Sequence, residues 1–162
     1  MTPIPINLRN LIEKLYHERY MGVLIYGEAD SGKTRYVKKF MEMEHKLHIL
    51  YADVQETLSN QGDTEIVFEL TPKKFLEQWC LPLIDKEKYN AIILDNFDVI
   101  VNLWDTRKKS ELITRIRKTE KAVYAIPVIA ILQEDSLFDE AYQQQNKTVL
   151  QRIIRFSELE KL

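Results

Sequence analysis

Four short apolar runs limit what this chain can fold into: "MGVLIY" at 21–26, "LHILYADV" at 47–54, "NAIILDNFD" at 90–98, and one inside "VYAIPVIAILQ" at 123–133. None alternates polar with apolar residues, so each reads as a strand buried on both faces. Between them the period changes to that of a helix. Residues 7–20 place Leu8, Leu11, Ile12 and Leu15 on one stripe behind a capping Asn7. Residues 33–45 align Tyr36, Val37 and Phe40, and residues 105–120 align Leu112, Ile113 and Ile116. A helix is predicted from Thr71, with Thr71 as cap and Pro72 in its first position. Residues 65–70, "EIVFEL", read as a further short strand, and 148–159 as a helix turning into a last short strand near "IIRF". Strands separated by helices imply a mainly parallel, five-stranded sheet covered on both faces, a three-layer α/β/α domain over residues 1–162.

Composition narrows the class. The 162 residues are 45% hydrophobic and 30% charged, which suits a folded globular chain. A formal net charge of −2 gives no global pull toward nucleic acid. Cys80 is the sole cysteine, which excludes an internal disulfide framework and suits a reducing cytoplasm. The start, "MTPIPINLRN", lacks the basic and apolar regions of a signal peptide, and no apolar run reaches the roughly 18 residues of a membrane span. A cytoplasmic protein with no membrane contact is expected.

The first apolar run opens directly into Gly27-Glu28-Ala29-Asp30-Ser31-Gly32-Lys33-Thr34, followed by Arg35. This is the pattern G-x-x-x-x-G-K-[ST] between a strand and a helix. Its glycines let successive N–H groups turn inward as a nest for phosphate oxygens. The following helix adds partial positive charge at its N-terminus. Lys33 supplies a full charge for the β- and γ-phosphates, and the Thr34 hydroxyl a ligand for Mg²⁺. The metal then needs a carboxylate at the end of a neighbouring strand. "AIILD" ends in Asp95 after four apolar residues, which makes Asp95 the second expected metal residue.

These two motifs resemble the P-loop NTPases, and further features resemble their AAA+ branch. At least one strand, and by the reading of 65–70 two, lie between the glycine loop and Asp95, which resembles that branch. Gln133 ends the fourth run where the branch carries a polar sensor of the γ-phosphate or the attacking water. "VLQRIIRFSEL" resembles the segment in which an arginine enters the fifth strand. By that resemblance Arg152 is an arginine finger for a neighbour's nucleotide, with Arg155 competing for the role. The resemblance implies ATP and Mg²⁺ as ligands, residues 27–35 as the cradle, and a homo-oligomer formed or stabilised by ATP. The catalytic set it implies is Lys33, Asp95, Asn96, Gln133 and Arg152.

Three departures qualify it. ATPases of the branch place a glutamate after the metal aspartate as base, and Asn96 stands there instead. An amide orients water but takes no proton at neutral pH. Asp98 lies two residues further on. The chain ends soon after the last expected strand, so no helical lid domain is expected, and no long N-terminal partner-binding domain either. Slow hydrolysis, or binding without turnover, follows. A bare core of this kind is similar to the BrxF family of type III BREX phage-defence systems, which implies partner proteins in bacterial defence.

Other residues leave alternatives open. Arg107, Lys108, Lys109, Arg115, Arg117 and Lys118 either track a DNA backbone or form a solvated helix face, and the interleaved Glu111 and Glu120 favour the second. Asp53 ends the second run as a cap or a site residue. Tyr26 packs against a base or against the sheet. No N-K-x-D pattern appears, which points to adenine over guanine. A small-molecule kinase would share the glycine loop, and a non-hydrolysing nucleotide-binding module would account for Asn96.

Overall fold

The computed structural model describes residues 4–61, 70–146 and 148–162. Helix α1 (Leu8–Leu15) is capped by Asn7, whose side chain accepts from the Asn10 N–H. Then come β1 (Gly22–Gly27), α2 (Lys33–Met43), β2 (Ile49–Asp53) and α3 (Val54–Gln61). A further helical stretch starts as α4 (Pro72–Lys74) under the Thr71 cap. It widens to a π-helix over Phe75–Cys80 and tightens to a 3₁₀ turn over Leu81–Leu83. The rest follows as β3 (Ala91–Asp95), α5 (Asp98–Val101), α6 (Thr106–Arg117), α7 (Lys121–Tyr124), β4 (Val128–Gln133), α8 (Ser136–Gln144) and β5 (Ile153–Arg155).

The described strands form one five-stranded sheet in the order β2-β3-β4-β1-β5. Every pairing in it is parallel. The expected α/β class and five-stranded sheet are therefore present, and the sheet is wholly parallel. The short strand expected over 65–70 falls, except for Leu70, outside the described residues.

The unbroken apolar runs have a direct physical reason. Along β1, Val23 and Ile25 join the core under α1 and α2, while Leu24 and Tyr26 join the core under α6 and α8. Strand β3 divides in the same way, with Ile93 on the first side and Ile92 and Leu94 on the second. Both faces of each strand lie in a core, so neither set of positions can be polar.

One expectation is corrected. Residues 148–152 form no helix, although "TVLQRIIRF" has helical spacing. The backbone is committed to β5, which pairs with β1 on its inner side. On its outer side the Gln145 amide donates to the Ile153 carbonyl at 2.7 Å and accepts from its N–H at 3.1 Å. That side chain satisfies an edge that would otherwise expose free backbone groups. Helix α8 had no counterpart in the sequence reading. Its signals were Asp135, whose side chain accepts from the Leu137 N–H, and the inward pair Phe138 and Ala141. No helix among the described residues is long and apolar enough to cross a membrane.

Candidate functional site

Parallel pairing brings the C-terminal ends of the strands to one edge. Its register sets Asp53 beside Asp95 and Gly27 beside Gln133. Ligand sites of open α/β sheets form at such an edge.

The glycine loop leaves β1 at this edge. Gly32 adopts φ 91°, in the left-handed region, and ends the loop as the N-cap of α2. A side chain there would be strained whatever the available space. A Cβ on Gly32 would meet nothing within 4 Å, so the loop is open above it. Gly27 differs, since a Cβ there would lie 2.8 Å from the Phe156 Cβ. The two glycines are required for different reasons, one conformational and one steric. Asp30 also takes a positive φ, 57°.

Lys33 opens α2 and is only 8% exposed. Its Nζ donates to the Gly27 carbonyl at 3.0 Å, to the Glu28 carbonyl, and to the Ser31 hydroxyl at 3.3 Å. Burial lowers its pKa, while the carboxylates of Asp98, Asp95, Asp30 and Glu28 act against that shift. The cation therefore sits among acceptors on its loop side and acids on the other.

Asp95 ends β3 and is 3% exposed. Its Oδ1 accepts from the Asn96 N–H at 2.9 Å and its Oδ2 from the Tyr51 hydroxyl at 2.7 Å. Burial and this bond to a carboxylate push the Tyr51 pKa well above that of a free phenol. Strand β3 stops here because Asn96 takes φ 53°, a conformation that asparagine tolerates better than most residues. The turn brings Asp98 to the start of α5, where its Oδ1 accepts from the Gln133 N–H at 2.7 Å. Burial raises the Asp98 pKa, and the Gln133 N–H and Lys33 partly offset this.

These residues enclose a cavity of about 310 Å³ lined by Asp30, Ser31, Gly32, Lys33, Thr34, Arg35, Asp95, Asn96, Asp98 and Gln133. Most of the residues singled out from sequence thus share one space. Gly27, Glu28 and Ser31 also line a second cavity of about 340 Å³, with Tyr26, Glu134 and Arg155 to Ser157. Tyr26 is itself buried in the sheet core and its hydroxyl donates to Asp139 at 2.9 Å.

Arg152 lies elsewhere. It precedes β5, and its carbonyl accepts from the Leu24 N–H, well before β1 reaches the loop. Its guanidinium faces Glu18 at 3.9 Å, and the buried Nη1 has no partner among the described residues. Arg155 stands beside the loop, paired with Asp139 at 2.8 Å and stacked over Tyr142 at 4.2 Å. On α6, Lys109 pairs with Asp135 at 2.8 Å and Arg117 donates to the Ala141 carbonyl at 3.2 Å. Arg115 lies 3.8 Å from Glu111, and Arg107 and Lys118 are exposed.

The residues missed in sequence are Tyr51 and, as a direct partner of Asn96, Asp53. The Asn96 Nδ2 donates to the Asp53 Oδ2 at 2.9 Å. The available signal was that "LYAD" and "IILD" both end in aspartate as apolar runs, so in-register pairing would set their ends side by side.

No protein-family model matches the chain, and no curated protein does. Among solved structures, a chain of the Drosophila ORC structure, solved bound to DNA, is similar at 16% identity and a TM-score of 0.44. The match covers 91% of this chain and 40% of that one.

Proposed function

We propose that the chain binds ATP with Mg²⁺ through residues 27–35 and Asp95, hydrolyses it slowly, and uses the bound state to control homo-oligomer assembly. One observation carries the reading: a left-handed Gly32 under open space, with the buried Lys33 beside it facing Asp95 and Asp98 across one cavity.

The residues present fit both ligands. A left-handed Gly32 under open space suits an oligophosphate, which a side chain at that position would crowd. The Thr34 hydroxyl and the Asp95 carboxylate are hard oxygen donors, and Mg²⁺ takes few protein ligands because it keeps waters and phosphate oxygens. When bound, the metal would neutralise charge on the β- and γ-phosphates. Lys33 would exchange its loop acceptors for phosphate oxygens. The Gln133 side chain, held through its backbone by Asp98, would bear on the γ-phosphate or the attacking water. Arg152 would have to leave Glu18 to serve a neighbouring copy as a finger. DNA contact would fall to Arg107, Lys108 and Lys118, since Lys109, Arg115 and Arg117 already have partners. Partners in phage defence rest on the sequence resemblance alone.

A second reading, a nucleotide-binding module without turnover, is favoured by one observation: Asn96 presents an amide rather than a carboxylate to the cavity. Light scattering with and without ATP·Mg²⁺, alongside phosphate release, separates the two. The first reading expects a rise in mass on adding ATP·Mg²⁺ and slow phosphate release. Binding with constant mass and no phosphate would leave the second.

A further inference from the structure

We propose that the edge of the sheet opposite the glycine loop binds single-stranded nucleic acid, through exposed cations and two tyrosine rings that three separate segments bring together there. The proposal does not rest on the nucleotide reading and uses no residue that lines the phosphate cavity.

Every strand pairing is parallel, so the N-terminal ends of the strands share this edge. Residues 16–20 lead into β1, residues 85–90 lead into β3, and residues 118–121 join α6 to α7. Hydrogen bonds tie the three segments together. The Tyr16 hydroxyl donates to the Asn90 carbonyl. The Lys121 Nζ donates to the Tyr16 carbonyl at 2.6 Å, and the Lys121 N–H to the Arg19 carbonyl at 2.9 Å. Tyr20 and Glu120 form an antiparallel bridge.

Arg19, Lys88, Lys118 and Lys121 are exposed here, and none forms an ion pair among the described residues. Of the neighbouring acids, Glu18 faces Arg152 at 3.9 Å and Asp85 accepts from the Glu87 N–H at 3.1 Å. Glu87 and Glu120 remain against the four cations and Lys86. The edge is therefore locally basic on a chain of formal net charge −2, and a polyanion is its complement.

The tyrosines favour a single strand. The Arg19 guanidinium lies 5.1 Å from the Tyr20 ring centre, and the Lys88 Nζ 5.2 Å from that of Tyr89. An exposed cation is held only weakly on a ring. It also marks a ring face that no core side chain covers. A phosphate can draw each cation away, and a base can then stack on the face it leaves. Such stacking beside backbone-tracking cations holds single strands without reading their sequence. On α6, by contrast, neither Arg107 nor Lys108 lies over a described aromatic ring.

Fluorescence anisotropy of a labelled oligothymidylate of about 20 nucleotides, titrated with the intact protein from about 50 mM salt upward, tests the site. We expect saturable binding without ATP. The log–log salt slope should be about −3, since each phosphate neutralised on a single strand contributes about −0.7. R19Q/K88Q should flatten that slope by about half and keep the parent's thermal midpoint and ATP·Mg²⁺ affinity. Y20L/Y89L should weaken binding about 10-fold with the slope unchanged. No binding by the intact protein overturns the proposal, as does equal affinity for a duplex of the same length or for polyglutamate. Loss of binding in R107Q/K108Q with R19Q/K88Q unaffected also overturns it, by moving the contact to α6. None of these outcomes depends on whether the protein binds ATP.

Discussion

The site has two sides built in opposite ways. The loop side, Gly27 to Thr34, is one continuous stretch whose geometry follows from local chemistry: a glycine at φ 91° and a lysine folded onto its own loop. The acidic side comes from separate segments. Tyr51 and Asp53 arrive on β2, Asp95 and Asn96 at the end of β3, Asp98 on α5 and Gln133 on β4. Tertiary hydrogen bonds join them, 44 residues apart for Tyr51 and Asp95 and 35 for Asp98 and Gln133. A local motif can be read in sequence, whereas a site assembled across strands becomes legible only once the strand order is known.

The comparison can be broken most forcefully on the loop side. Lys33→Ala should weaken ATP·Mg²⁺ binding by about 100-fold, since contacts to a charged group contribute about 3 kcal/mol. Fluorescent-nucleotide titration checks it. Its thermal midpoint should stay near that of the parent, because the lysine's described partners are the loop's own acceptors. Gly32→Val comes next. Nothing crowds the new side chain, so the cost is conformational, about 1–2 kcal/mol, with loss of nucleotide binding. Gly22→Ala makes an instructive control, because there a Cβ would lie 2.0 Å from the Ile116 carbonyl oxygen. Denaturant unfolding should show steric destabilisation of about 1–3 kcal/mol, at a position that lines neither cavity beside the loop.

On the acidic side effects should be smaller and metal-dependent. Tyr51→Phe removes the hydroxyl on the Asp95 Oδ2 and should reduce Mg²⁺-dependent ATP affinity about 10-fold, with metal-free affinity little changed. Nucleotide titration at graded Mg²⁺ reads the difference.

The smallest effect lies at the far end of α2. Burial alone would raise the Glu44 pKa, but Arg9 and the N–H groups of Lys46 and Leu47 outweigh it, so the carboxyl sits below its ordinary value. A depressed folded-state pKa means stability that is present above the unfolded value of about 4.3 and lost as pH falls through the folded one. Glu44→Gln should lower the thermal midpoint modestly at neutral pH and flatten its fall in acid. Nucleotide affinity should not move, since Glu44 is remote from the loop in sequence and lines neither adjoining cavity.

The same contrast explains what the sequence made readable. β1, β3 and β4 are visible because two buried faces force unbroken apolar runs, and the loop because its residues are consecutive. Residues 148–152 misread as helix because Val149, Leu150 and Ile153 carry helical spacing, while strand pairing and the Gln145 side chain decide the backbone. Tyr51 gave no signal, since a tyrosine inside an apolar run reads as core until β2 is known to adjoin β3. Asp98 could be suspected from sequence, but its approach to Gln133 depends on the left-handed turn at Asn96.

The central claim is that the loop amides and Lys33 hold an oligophosphate, and titration calorimetry of the intact protein with ATP·Mg²⁺ tests it most directly. The account predicts saturable heat at one nucleotide per chain, abolished in Lys33→Ala. No heat from the intact protein, or the same isotherm from Lys33→Ala, would contradict it.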